Sequence, residues 1–203
     1  MKQKLWNSPV IRILSALMAL ALMVGTLAAC HKNQTEEPTK EAVKTIIFPA
    51  NYYKYFDYKP SEDADAIKEL GKDYYTKVTK KGDQLQIEAT SAQIRKLIAR
   101  NNYYCSELQT TFLGAGDGYA ITGSDDFKTV EFIVDDKMDE SLRDNCIFEV
   151  LNIYAMNQLL KGAGDKWSVK VTFINNENGE TVKTVNCPAD ELSLTTEELA
   201  AEA

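Results

Sequence analysis

The chain of 203 residues contains a single histidine, His31, and this scarcity excludes many kinds of active site. Imidazole is the general base of most serine and cysteine nucleophiles and a common ligand of zinc and iron. Residues 32–203 therefore cannot form a Ser-His-Asp triad, a Cys-His pair or a histidine-ligated metal site. We predict no catalytic residues, no metal site and no cofactor.

Basic residues are also few, with 23 Lys and Arg against 30 Asp and Glu. The first 29 residues contain Lys2, Lys4, Arg12 and no acid, so the remainder of the chain carries a net charge near −10. Proteins that bind nucleic acids neutralise phosphates with Lys and Arg. We therefore predict no nucleic-acid partner.

Motifs for phosphate and calcium binding are incomplete. The glycine-rich segment "GAGDG" (114–118) lacks a following Lys-Ser or Lys-Thr, and the strand-like "YAITG" comes next, so we interpret it as a turn. The acids in this segment and after it lack the spacing of a calcium-binding loop. These acids are Asp117, Asp125, Asp126, Asp135, Asp136 and Asp139.

Three cysteines follow Cys30, and they leave two alternatives open. Cys146 falls on the apolar stripe of a predicted helix and is expected in the core. In an exported protein Cys105 and Cys187 could form one disulfide. Otherwise all three remain buried free thiols.

The clearest motif lies in the first thirty residues. A basic start is followed by an apolar run from Ile13, and the small residues Ala28 and Ala29 precede Cys30, which is the layout of a secretory signal. The segment "LAAC" (27–30) resembles the lipobox of bacterial lipoproteins. The resemblance implies that Cys30 receives a diacylglycerol thioether and that residues 1–29 are removed. An uncleaved signal anchor is the alternative, because the run approaches the lower limit of about 17 residues for a spanning helix.

The lipobox interpretation predicts an extracytoplasmic protein that is held on a membrane by the lipid on Cys30. Residues 30–42 lack apolar periodicity and are expected to form a flexible tether with a reach of about 20 Å. Residues 43–189 have the length of one domain, which we expect to be monomeric. Residues 190–203 form an acidic tail, in which Thr195 and Glu198 are placed to cap a short helix.

Helix and strand signals alternate along the domain and predict an α+β fold: an antiparallel sheet built from hairpins, with about three helices packed mainly on one face. Helices are predicted after Pro60, after a capping-box pair at Thr90 and Gln93, and from about Asp139 to Lys161. The hairpins are predicted at 75–89, at 119–134 and in "WSVKVTFINNENGETVKTV" (167–185).

Eight of the ten tyrosines fall between residues 52 and 104. Taken as a strand, "NYYKYFDY" (51–58) places Tyr53 and Tyr55 on a face that we expect to be exposed. Tyrosine rings can stack on ligands, and polar residues in "RNNYY" (100–104) add hydrogen bonds. The candidate ligand-binding residues are Tyr53, Tyr55, Arg100, Asn102 and Tyr103. The alternative is that these tyrosines edge the core.

Two functions are compatible with these features. The first is a non-enzymatic binding or interaction module for a glycan, peptide or protein partner of the cell envelope. The second is an envelope enzyme that acts on a glycan through two carboxylates about 5 to 10 Å apart.

Overall fold

Seven strands and five α-helices make up residues 41–200, the part of the chain that this computed structural model describes. The strands are β1 (Val43–Phe48), β2 (Lys77–Lys81), β3 (Gln84–Thr90), β4 (Ala120–Gly123), β5 (Thr129–Val134), β6 (Val169–Asn175) and β7 (Thr181–Cys187). The helices are α1 (Ala50–Phe56), α2 (Pro60–Glu69), α3 (Ser91–Leu113), α4 (Glu140–Leu160) and α5 (Thr196–Ala200), with a 3₁₀ turn at Gly164–Lys166. The predicted α+β class is confirmed, whereas Cys30 and the lipobox lie outside the described residues.

The strands form two sheets. The first has the order β1-β3-β2 and is entirely antiparallel, and the second has the order β4-β5-β6-β7. All three predicted hairpins are present. One pairing departs from the antiparallel prediction: β5 and β6 are parallel, because α4 between them returns the chain to the same end of the sheet.

Local signals explain where the helices begin. The backbone N–H of Gln93 donates to Thr90 Oγ1 at 3.2 Å, and the N–H of Thr90 donates to Gln93 Oε1 at 2.8 Å, which completes the predicted capping box of α3. Asp139 Oδ1 accepts from the N–H of Leu142 at the start of α4. Helix α3 extends over 23 residues and therefore includes all of "RNNYY".

Helix α4, which matches the helix predicted from about Asp139 to Lys161, is the central helix of the core. Fourteen of its 21 residues are buried, so it is enclosed on most sides. The neighbouring strands β5 and β6 bury alternate side chains, and Phe132 stacks on Phe173 across the parallel pair with ring centroids 5.8 Å apart. Burial of each such aromatic side chain contributes about 1.5–3 kcal/mol.

Residues 190–200, the start of the predicted acidic tail, pack against the domain. Leu199 is fully buried, and its carbonyl oxygen accepts from Asn175 Nδ2 at 3.0 Å. Arg143 Nη2 donates to the carbonyl oxygen of Leu194 at 3.2 Å. The predicted cap is present, since the N–H of Glu198 donates to Thr195 Oγ1 at 3.1 Å.

The cysteines and the glycine-rich segment also have defined places. Cys105, Cys146 and Cys187 are buried free thiols, and Cys146 lies in the core as predicted. The "GAGDG" segment forms a turn after α3. Within residues 41–200, no helix combines the length and the apolar character needed to cross a membrane.

Candidate functional site

The strand prediction for "NYYKYFDY" is wrong, because Ala50–Phe56 is the helix α1. Helical geometry places Tyr52, Tyr53 and Phe56 on a buried face, and Tyr53 is only 3% exposed. The preference of tyrosine for strands depends strongly on packing, and here packing against the rest of the core favours a helix. Tyr53 therefore cannot present its ring to a ligand at the surface.

The buried side of α1 belongs to an aromatic group, here called the α1 cluster, which comprises Tyr52, Tyr55, Phe56, Phe148 and Trp167. Phe56 stacks on Trp167 at 5.7 Å and meets Phe148 edge-on at 5.4 Å. The hydroxyl of Tyr52 donates to Asn152 Oδ1 at 2.7 Å. Tyr55, half-buried, packs edge-on against Trp167 at 5.6 Å. The cluster is thus part of the core.

Two carboxyl groups lie close to this cluster. Burial raises the pKa of Glu149 to about 7. Burial also raises the pKa of Asp63 to about 6, although the nearby Tyr53 hydroxyl acts in the opposite direction. Both carboxylates add to the effect of burial in raising the pKa of the Tyr52 hydroxyl. Their raised pKa values make these acids sensitive to pH near neutrality.

The other three predicted residues, Arg100, Asn102 and Tyr103, are exposed on α3. Asn102 Oδ1 accepts from Nδ2 of the fully buried Asn157 at 3.0 Å, and Asn157 Oδ1 accepts from Asn101 Nδ2 at 2.9 Å. This amide network fixes the side chain of Asn102 against α4. Asn102 is also the one predicted ligand residue that lines the cavity described next.

A cavity of about 230 Å³ lies between α3, the β4–β5 turn and α4. Its walls are formed by Asn102, Cys105, Gln109, Gly123, Ser124, Asp125, Phe127, Ile153 and Tyr154. Apart from Asn102, these residues were not predicted as ligand-binding residues. They come from three segments that only the folded chain brings together.

One wall of the cavity is a face of α3. Asn102, Cys105 and Gln109 follow the spacing i, i+3, i+7, which places them on one side of the helix. Gln109 Nε2 donates to the carbonyl oxygen of Ile121 at 3.3 Å. Among the described residues, Asn102 Nδ2 and Gln109 Oε1 have no hydrogen-bond partner, so one donor group and one acceptor remain for a ligand.

The β4–β5 turn forms a second, rigid wall. Ser124 Oγ accepts from the N–H groups of Lys128 and Thr129 at 3.1 and 3.0 Å. Phe127 has a φ of +64°, a left-handed conformation that is strained for a bulky residue. Gln158 Nε2 donates to the carbonyl oxygen of Phe127 at 2.7 Å, and Lys161 Nζ lies 4.2 Å from the centre of the Phe127 ring. The surrounding contacts thus maintain a strained residue in the cavity wall.

Tyr154 of α4 completes the site. Its ring meets that of Phe127 edge-on at 5.5 Å. A Cβ on Gly123 would lie 1.5 Å from the Tyr154 hydroxyl oxygen, so only glycine allows the tyrosine to lie here. Burial, together with Cys105 and Asp125, raises the pKa of Tyr154 to about 12. The hydroxyl therefore keeps its proton at neutral pH and can donate a hydrogen bond.

The lining residues are chemically varied and include few groups that ligate metals. In the part of the chain from 41 to 200, no group of three or more His, Cys, Asp or Glu side chains is placed to hold a metal ion. The lining instead combines two amides, two aromatic rings, two hydroxyl groups, one thiol and one carboxylate. Comparisons with protein-family models, with curated proteins and with solved structures give no match to this chain, so its own geometry is the basis for assigning a function.

Proposed function

We propose that this protein is a lipid-anchored protein of the cell envelope that acts as a non-enzymatic binding module, with the cavity beside Tyr154 as its ligand site. The observation that carries the proposal is a rigid-walled cavity in which Asn102 Nδ2 and Gln109 Oε1 have no hydrogen-bond partner among the described residues. Concave sites with aromatic walls and a few placed polar groups are typical of small-ligand binding.

The composition of the cavity favours binding over catalysis. Glycoside hydrolysis through carboxylates needs two acids that flank the scissile bond. Asp125 is the one carboxylate among the nine lining residues. Burial raises the pKa of the Cys105 thiol, which suppresses the nucleophilic thiolate. The lining therefore supplies neither an acid pair nor an activated nucleophile.

The proposed anchor is supported by the "LAAC" segment and by the basic, apolar and small-residue order before it. A lipidated Cys30 followed by a polar tether would hold the domain outside the cytoplasm and close to the membrane. Two or three acyl chains suffice for stable anchoring, at about 0.8 kcal/mol for each buried methylene.

Anchoring is tested by Cys30→Ala in a bacterial host, with Cys105→Ala as the matched control. The native chain and the control should be processed and should partition into the detergent phase. Cys30→Ala should accumulate as an unprocessed precursor, because the sulfur that accepts the lipid is missing. Mature, soluble protein from Cys30→Ala would contradict the anchoring proposal.

Binding is tested by saturation-transfer NMR on the full-length protein in detergent micelles, with a set of small sugars, amides, amines and carboxylates. Gly123→Ala should abolish the signals of any ligand in the cavity, since the added methyl group displaces Tyr154. Gly114→Ala is the matched control, because a Cβ there makes contacts no closer than 3.4 Å. The proposal fails if no compound gives a signal that depends on residue 123.

A further inference from the structure

The cavity separates its two amides instead of bringing them together. Asn102 and Gln109 are seven residues apart on α3, which corresponds to about 10 Å along the helix axis. Cys105 lies between them, and Ile153 adds further apolar surface from α4. The wall is therefore polar at both ends and apolar in the middle. One amide of a peptide is too short to reach both ends.

The atoms that are left for a ligand differ at the two ends. Asn102 Nδ2 can only donate hydrogen bonds, and Gln109 Oε1 can only accept them. A hydroxyl group does both, so a ring with hydroxyls on opposite edges satisfies both ends with the same chemistry. The C–H face of such a ring suits the apolar middle and the aromatic surface of Phe127 and Tyr154.

The charge and the volume of the cavity restrict the class of ligand further. Among residues 41–200, Asp125 is the only charged residue in the lining. Lys161 lies just outside it, where its Nζ donates to the carbonyl oxygen of Asp125 at 3.3 Å and covers the ring of Phe127, so an anionic ligand would meet the Asp125 carboxylate while this cation is already engaged. The volume of about 230 Å³ is below the range of about 300 to 1,000 Å³ that is usual for drug-sized ligands. The space suits a single ring.

From this arrangement we infer that the cavity binds one neutral pyranose unit of an envelope glycan, with the ring between Asn102 and Gln109. This inference rests on the binding function proposed above and names its ligand class. Affinity in such a small site is expected to be millimolar for a single sugar, and several copies of the protein anchored on one membrane would raise it through multivalency on a glycan that repeats the sugar.

The test uses full-length protein in detergent micelles and saturation-transfer NMR, with protein-free micelles as the blank. The probes are the methyl β-pyranosides of glucose, galactose and mannose, methyl glucuronide, the linear hexitol sorbitol, and N-acetylglycine methylamide. At least one neutral pyranoside should bind with a millimolar Kd. Methyl glucuronide, in which a carboxylate replaces the hydroxymethyl group of glucose, should bind at least fivefold more weakly, and sorbitol should give no signal.

Two variants check the roles of the lining residues. Gln109→Met keeps the length of the side chain but removes the acceptor, and it should weaken the binding of the neutral pyranoside at least fivefold. Asp125→Asn should improve glucuronide binding at least threefold while it leaves the neutral sugar within twofold. An equal gain for both sugars would overturn the charge argument and with it the assignment to neutral rings.

The two proposals fail in different ways. If no probe gives a signal that Gly123→Ala removes and Gly114→Ala keeps, the cavity is not a ligand site and both proposals fall. If only the amide or sorbitol gives such a signal, or if glucuronide binds as well as the neutral sugars, the cavity binds ligands but the pyranose assignment is wrong.

Discussion

Two aromatic groups in this domain differ in what surrounds their rings. In the α1 cluster, Phe56 and Trp167 are enclosed by other rings, and the hydroxyl of Tyr52 is bound to Asn152. At the cavity, Phe127 and Tyr154 contact each other beside amide atoms that have no hydrogen-bond partner among residues 41–200. Aromatic density thus marks the core of this protein. Two rings beside uncommitted polar atoms mark its candidate binding surface.

The largest expected effect is a difference in the free energy of unfolding between variants of the two aromatic groups. Phe56→Ala removes a ring that is packed on all sides and should lower the free energy of unfolding by about 3–5 kcal/mol. Phe127→Gly removes a partly buried ring but also relieves its left-handed strain, so its cost should stay below about 1.5 kcal/mol. Denaturant unfolding monitored by circular dichroism measures both values. Equal losses at the two sites would show that the cavity wall is ordinary core.

The second effect is a dependence of stability on pH, which arises from the two buried carboxyl groups beside the α1 cluster. The folded state raises the pKa of Glu149 from 4.5 to about 7, so between these values the folded protein keeps a proton that the unfolded chain releases. The free energy of unfolding should therefore fall as the pH rises from 5 to 8, by about 2–3 kcal/mol. Asp63, with its pKa raised to about 6, acts in the same direction.

Glu149→Gln cannot titrate and should remove more than half of this dependence, as measured by denaturant unfolding at pH 5 and pH 8. Asp73→Asn is the control, since that carboxylate is 85% exposed in its side chain. Stability that rises from pH 5 to pH 8 in the native protein would contradict the burial of Glu149.

The smallest effect concerns single hydroxyl groups. Tyr52→Phe leaves Asn152 Oδ1 without its buried donor and should cost about 1–2 kcal/mol. Tyr154→Phe should cost less than about 0.5 kcal/mol, because its hydroxyl borders the cavity. The order of the effects on sugar binding should be reversed: Tyr154→Phe should weaken the affinity several-fold, and Tyr52→Phe should leave it unchanged. A stability loss at Tyr154 that matched the loss at Tyr52 would remove the distinction.

The features that the sequence predicted correctly rest on short-range signals. The capping box at Thr90 and Gln93 joins residues three positions apart, and the hairpins depend on turn residues and alternation. Helix α1 was missed because it is only seven residues long, is rich in aromatic residues and has no side-chain cap. Aromatic residues favour strands, and no local signal shows that packing in the core will favour a helix instead. The parallel pairing of β5 with β6 was missed because it depends on how α4 packs.

The cavity was largely beyond prediction for the same reason. Its walls come from residues 102–109, 123–127 and 153–154, and their meeting depends on the packing of α3 against α4. Asn102 was predicted as a polar neighbour of Tyr103, but the structure places it against Asn157 and gives it different neighbours. Gly123 was not predicted at all, since its importance depends on the hydroxyl of Tyr154.

The parallel pair at the centre of the second sheet also has a consequence for the order of folding. The hairpins β4–β5 and β6–β7 join neighbouring segments and can form within about 1–10 μs. The pairing of β5 with β6 must wait until the chain from Val134 to Val169 closes through α4, and such non-local closure slows folding. The cavity lies between the β4–β5 turn and α4, so it is completed only in that late step. A newly made chain would therefore acquire its hairpins before the cavity that we propose as its ligand site.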